Sequence, residues 1–117
     1  MVSMTITVTD HTKTPRSIYD LAVNGSGGGY TVVGGMPALN VGASVCYLNI
    51  QASKTNSSTI IYKGDSSVKN DGTRQSKELA AGDSDQMEPV NPINVNEIFL
   101  AAGSDSTAKI NVEFYMG

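Results

Sequence analysis

The residues able to do chemistry are few and widely spaced. The chain carries one histidine, His11, and one cysteine, Cys46. A cysteine nucleophile needs a neighbouring base such as histidine. Around Cys46 the residue types alternate, with Cys46, Leu48, Ile50 and Ala52 on one side and Val45, Tyr47, Asn49 and Gln51 on the other. That pattern places Cys46 on the inward face of a strand, where a free thiol behaves as a small packed hydrophobe. His11 stands in the polar corner Asp10-His11-Thr12-Lys13, without ligand-spaced partners for a metal, and reads as a solvated turn residue. Asp65, Asp71, Asp83 and Asp85 fall among Gly, Ser and Asn residues. A calcium site would need several oxygen ligands at regular loop spacing, which is absent. Aspartates that bond their own turns are the expectation, and none has a helper residue for acid–base work. The sequence therefore yields no catalytic, cofactor-binding or metal-binding residue.

Tyr47, Tyr62 and Tyr115 could form an exposed aromatic platform for a sugar, or pack at the rim of a sheet. The second reading is preferred, because tryptophan is absent. Asn24-Gly25-Ser26 and Asn56-Ser57-Ser58 match the glycosylation pattern but mark loops only. The run Gly25-Ser26-Gly27-Gly28-Gly29 brushes against phosphate-loop spacing. It is followed by the strand-like Tyr30-Thr31-Val32-Val33 instead of a helix, so a flexible loop is expected.

These residues need elements to hold them, and the least ambiguous element is the tail. Ala108, Ile110, Val112 and Phe114 fall on every second position, with Lys109, Asn111, Glu113 and Tyr115 between them. This predicts a strand over 107–115 with one dry face and one wet face. Burial of Ile110, Val112 and Phe114, at about 1.5–3 kcal/mol each, requires a second layer. Residues 4–9 predict a first strand, with Ile6 and Val8 on one side and threonines on the other. Thr14 as cap, Pro15 in first position and Ile18, Leu21 and Ala22 at helical spacing predict one short helix ending at Asn24-Gly25, with a strand as the alternative. Residues 45–52 and 58–63 predict two strands of an antiparallel hairpin, with Val68 and Leu79 as later inward anchors. Residues 69–77 predict an exposed loop, 86–90 a short edge strand limited by Pro89, and 96–102 a strand with Ile98 and Leu100 opposite Phe99. Gly103-Ser104-Asp105-Ser106 is the expected last hairpin turn. The sum is all-β: a jelly-roll-like β-sandwich in a single domain over 1–117, with residues 1–16 either an extended arm or the first strand.

Composition narrows the function classes. Net charge is −3 and the eight basic residues are dispersed, which argues against a nucleic-acid partner. One cysteine excludes an internal disulfide. Residues 1–10 show no basic region followed by an apolar run, and no stretch is long enough for a membrane span.

From Cys46 onward the wording resembles a known group. Leu48-Asn49-Ile50-Gln51-Ala52 leads through a polar turn to Ser58-Thr59-Ile60-Ile61-Tyr62-Lys63-Gly64-Asp65-Ser66-Ser67-Val68. Then come Leu79-Ala80-Ala81-Gly82-Asp83-Ser84, Asn94-Val95-Asn96-Glu97-Ile98-Phe99-Leu100 and Lys109-Ile110-Asn111-Val112-Glu113-Phe114. This resembles small virion proteins of tailed bacteriophages, of the capsid decoration or cement type. Lys63 departs from it, standing where a smaller or apolar residue is expected, and residues 1–39 have no counterpart in it. The resemblance implies a non-enzymatic structural protein made in the host cytoplasm and placed on the outer capsid surface. Its partners would be the major capsid protein and further copies of itself, a trimer suiting a three-fold axis, with no membrane partner. The alternatives are a neck or tail structural protein, or a carbohydrate- or host-surface-binding module. Residues 1–15 and 69–77 are the expected contact segments.

Overall fold

The computed structural model describes residues 1–88, 91–104 and 108–116. In chain order the elements are β1 (Val2–Val8), β2 (Arg16–Ser17), α1 (Ile18–Asn24), β3 (Tyr30–Gly34), β4 (Ser44–Ala52), β5 (Ile61–Gly64), β6 (Gln75–Leu79), β7 (Ser84–Met87), β8 (Ile93–Asn94), β9 (Phe99–Ala102) and β10 (Ala108–Met116). Short 3-10 turns cover Lys54–Asn56 and Val95–Glu97.

The alternation at the tail becomes β10. Ala108, Ile110, Val112 and Phe114 are fully buried, and the residues between them face outward. β10 sits in the middle of a six-stranded sheet ordered β3-β1-β10-β4-β7, with β8 also paired to β4. A four-stranded sheet ordered β2-β9-β5-β6 packs against it. The seam between them holds Ile6, Leu48, Ile50, Ile110 and Phe114 from the first sheet and Ile61, Leu79 and Leu100 from the second. Residues 1–16 supply the first strand: β1 pairs with β10 along its whole length, from Val2↔Phe114 to Val8↔Ala108.

Set β3 and the two-residue β8 aside and the pairing has a simple form. β1 pairs with β10, β2 with β9, β4 with β7 and β5 with β6, all antiparallel. These are the rungs of one long hairpin whose tip lies between β5 and β6. Successive rungs alternate between the sheets, so the hairpin is rolled into a sandwich. That wrapping is a jelly roll. α1 and β3 are inserted between β2 and β4.

The roll changes several expectations. β4 and β5 do not form a hairpin, because they lie in different sheets. The 3-10 turn at Lys54–Asn56 carries the chain across, held by Asn56 against β10. β9 and β10 likewise belong to different sheets and are not paired as a hairpin; of the turn expected between them, Asp105 and Ser106 lie outside the described residues, as does Thr107. The expected strand over 96–102 begins only at Phe99, because Asn94 accepts from the Asn96 amide and winds Val95–Glu97 into a turn. The loop expected over 69–77 is exposed or half-buried but gives way to strand β6 at Gln75. The expected edge strand over 86–90 is β7, displaced toward Ser84, with Pro89 and Val90 outside the described residues.

α1 buries Ile18, Leu21 and Ala22, the face that the spacing predicts. Its cap is Ser17 rather than Thr14: the Ser17 hydroxyl accepts from the Asp20 amide at 3.0 Å. Arg16 and Ser17 pair with β9, so the helix cannot start earlier.

The glycine run is not a loose loop. It folds back along β3, the edge of the larger sheet. Gly27 and Tyr30 exchange backbone hydrogen bonds of 2.7 and 3.1 Å, and the Val32 amide donates to Ser26 Oγ at 2.9 Å. Arg16 fastens this cover, donating from Nη1 to the Gly25 and Gly27 carbonyls at 2.7 and 3.0 Å and from Nε to Asp20 at 2.5 Å. Gly29 has φ +90, and a Cβ there would stand 2.5 Å from the Asp10 carbonyl oxygen. Only glycine lets the run lie this close. An uncharged five-residue edge strand invites pairing with another chain, and the run occupies the backbone groups of Tyr30 and Val32 that would take part in it.

Candidate binding face and docking end

The outward side of the larger sheet presents a lane set by the pairing of β4 with β10. Its rungs are Tyr47 opposite Tyr115, Asn49 opposite Glu113, and Gln51 opposite Asn111. The tyrosine rings are tilted at 50° with centroids 5.7 Å apart. β1 adds Ser3 and Thr5 on one side, and the Thr5 hydroxyl donates to Asn111 Oδ1 at 3.1 Å. β7 adds Ser84 and Gln86 on the other. A shallow depression of about 450 Å³ lies between β3 and β4, bounded by Ser3, Thr5, Val33, Gln51, Asn111 and Glu113. Asn49 Oδ1 is buried and has no hydrogen-bond partner among the described residues.

The sequence groups Tyr47 with Tyr115 but does not bring Asn49, Gln51, Asn111 and Glu113 beside them, because that depends on a strand pairing it could not specify. Tyr62 is not part of the group. It lies on β5 in the other sheet, beside Gly72 and Gly103. Of the three tyrosines weighed as a platform, two share the larger sheet and the third lies on the other.

Cys46 is exposed, against the expectation of an inward position. The cause is a bulge: Tyr115 pairs with Tyr47 but Met116 pairs with Val45, so Cys46 is the extra residue. The shift turns Val45 inward to full burial and Cys46 outward. Its Sγ lies 3.5 Å from the Met116 carbonyl oxygen.

A second feature lies at the tip of the rolled hairpin. Residues 12–15 meet residues 66–70 and Arg74 around a cleft of about 370 Å³. Lys13, Lys69 and Arg74 line it and no carboxylate does. The two segments expected to make contacts, at the N-terminal side and after Val68, therefore converge. Asn70 Nδ2 donates to the His11 carbonyl at 2.9 Å and ties them together, and His11 itself is half-buried. Arg74 has φ +59, an uncommon conformation for a side chain of its size.

The aspartates divide. Asp65 accepts from the Ser67 amide at 2.8 Å and from the Ser67 hydroxyl, and Asp71 accepts from the Thr73 amide and hydroxyl at 2.9 and 2.7 Å. These hydroxyl and amide bonds hold both carboxyls below the usual carboxylate value, with smaller help from Arg74 and Lys69 respectively. Asp83 accepts from the Ala80 amide at 3.0 Å. These three are turn aspartates, as expected. Asp85 is not: it lies on β7, an edge strand of the larger sheet, and pairs with Lys63 of β5, an inner strand of the smaller one. Lys63, out of place in the sequence pattern, is thereby explained. Among the described residues, no group of three or more His, Cys, Asp or Glu is placed to hold a metal ion, and no helix is long and apolar enough to cross a membrane.

Asn56 is buried with both ends of its amide bonded to Lys109, which makes it a structural residue and not an accessible glycan acceptor.

Comparison with protein-family models, with curated proteins and with solved structures finds no match to this chain.

Proposed function

We propose that this chain is a non-enzymatic structural protein of a tailed-bacteriophage particle, a decoration protein that binds the outer surface of the capsid shell and stabilises it. The observation that carries the reading is the docking end. Two exposed segments, far apart in sequence, are tied by Asn70 and His11 into a cleft lined by Lys13, Lys69 and Arg74 on a chain of net charge −3. Such an end suits an acidic surface of the major capsid protein. The jelly-roll wrapping and the resemblance from Cys46 onward support it, although a fold by itself names no function.

The mechanism is mass action. A protein that binds the assembled shell better than its separated subunits shifts the assembly equilibrium toward the shell. Contacts between neighbouring copies, for instance in trimers around a three-fold axis, would add avidity.

The test is binding of the purified chain to particles stripped of it, with copy number counted. Hundreds of copies and a raised disruption temperature are expected, and Lys69→Glu with Arg74→Glu should abolish both while the isolated chain stays folded. A dozen copies or fewer would move the protein to the neck or tail. Failure to rebind, with stripped particles equally stable, would overturn the reading.

A further inference from the structure

We infer that the outward face of the larger sheet, along β4 and β10, binds a neutral glycan chain. This surface is distinct from the docking end and goes beyond attachment to a shell.

A sugar ring offers an apolar C–H face and a rim of hydroxyls. A protein that binds it needs an aromatic ring to cover the first, and planar groups that both donate and accept for the second. The lane supplies both in order. Tyr47 and Tyr115 form one rung, Asn49 and Glu113 the next, Gln51 and Asn111 the third. Residues two apart on a strand are about 6.8 Å apart, so three rungs span about 14 Å, room for about two to three sugar units. The rungs lie on two adjacent central strands, so the lane is rigid and needs little ordering on binding.

Three details favour a neutral glycan over other ligands. Glu113 stands in the middle of the lane and the nearest cation on β10 is Lys109 at its far end, which disfavours phosphate or sulfate esters. The lane is the flat side of paired strands and not a free edge, so it offers no backbone groups for an added peptide strand. Asn49 Oδ1 lacks a hydrogen-bond partner among the described residues, and rotation of that amide would present it to a hydroxyl donor. Thr5 already steadies Asn111 from the side at 3.1 Å. Val33, 70 % exposed at the margin of the depression, adds an apolar contact.

The test is titration of the full chain with cello-, xylo-, manno- and chito-hexaose, with a sulfated oligosaccharide as charge control. Binding is read by backbone amide shifts and by tyrosine fluorescence, which no tryptophan masks. At least one neutral hexaose is expected to shift resonances of β4 and β10. Tyr47→Ala and Tyr115→Ala should each weaken binding about tenfold or more, with Tyr115→Phe retaining most of it and Lys69→Glu with Arg74→Glu leaving it unchanged. Thermal unfolding of each variant separates lost binding from lost fold. The inference is overturned if no neutral hexaose binds at millimolar concentration, if only the sulfated one binds, or if the shifts map elsewhere. It is equally overturned if the face proves to be covered by a second copy, seen as concentration-dependent association lost in Tyr115→Ala. Because shell binding is read by the charge-reversed pair and glycan binding by the tyrosines, either can fail alone.

Discussion

The amide of Asn56 exchanges two hydrogen bonds with the backbone of Lys109: Nδ2 donates to the Lys109 carbonyl at 2.9 Å, and Oδ1 accepts from the Lys109 amide at 2.7 Å. A side chain here continues the ladder that a strand would otherwise make, and so releases the main chain to cross to the second sheet. Asn56→Ala strands the Lys109 amide, while the carbonyl keeps its bond from the Ser53 amide. The expected loss is about 2–3 kcal/mol, measured by urea unfolding. Asn56→Asp gives the Lys109 amide an acceptor again but sets its second carboxylate oxygen against the Lys109 carbonyl oxygen, so it should recover only part of the loss. A loss below about 0.5 kcal/mol would remove Asn56 from this role.

The Lys63–Asp85 pair joins the two sheets at side-chain exposures of 14 % and 16 %. Partial solvent access tempers its energy, so Asp85→Ala or Lys63→Ala should each cost about 1–3 kcal/mol. Most of that is the charge left behind. Lys63→Met combined with Asp85→Leu should therefore recover most of either loss. A double-mutant cycle checks this, and strict additivity would contradict it.

Arg16 fastens the glycine cover over β3. Its removal in Arg16→Ala should expose that edge, giving concentration-dependent association visible by light scattering while the circular dichroism spectrum stays β-rich. The Arg16 hydrogen bond holds the Asp20 carboxyl below its usual 3.8. A depressed carboxylate contributes stability above the unfolded pKa and loses it as pH falls through the lower folded value. Association of the wild type should thus rise as pH falls below the ordinary carboxylate range, and Asp20→Asn should flatten that rise.

Tyr30 is buried, donates its hydroxyl to the Leu100 carbonyl at 2.9 Å, and lies 5.9 Å from the Arg16 guanidinium. Burial pushes its pKa up to about 12 from 10.0, partly opposed by Arg16. The folded state needs the neutral phenol, so its contribution is intact below pH 10 and is lost as pH rises toward 12. Tyr30→Phe should cost about 1 kcal/mol at neutral pH and reduce the alkaline loss, seen as a smaller shift of the unfolding midpoint.

The bulge opposite Cys46 makes a direct chemical prediction. Because the thiol is exposed, a thiol-specific reagent should modify the native protein to one equivalent without denaturant. Protection until unfolding would return Cys46 to the interior.

The strands, and the faces that they bury, were largely legible. Alternation marked β10 and β1, helical spacing marked Ile18, Leu21 and Ala22, and isolated apolar residues marked the anchors Val68 and Leu79, all of them buried. Partnership between strands was not legible. Two alternating runs with a turn between them read as a hairpin, and nothing local revealed that Asn56 would bond to Lys109, 53 positions away. Cys46 was misplaced because a one-residue bulge reverses the phase of a period-two pattern, and that bulge exists only where β4 meets β10. The candidate lane was hidden for the same reason. The role of Arg16 in organising the glycine run gave no signal, because the acceptors it holds there are the Gly25 and Gly27 carbonyls, and every residue has a carbonyl.

The rolled hairpin also sets an order of events in time. The β5–β6 rung joins neighbours across one loop, whereas Val2 meets Phe114 from opposite ends of the sequence. Closing the shorter loop is cheaper, so the sandwich should zip from its tip toward its termini, and β1 should dock among the last. On a ribosome, β4 would wait for β10 to emerge, with one of its hydrogen-bonding edges unpaired. Slow maturation, and sensitivity to crowding by other nascent chains, is the kinetic cost of placing first and last strands side by side.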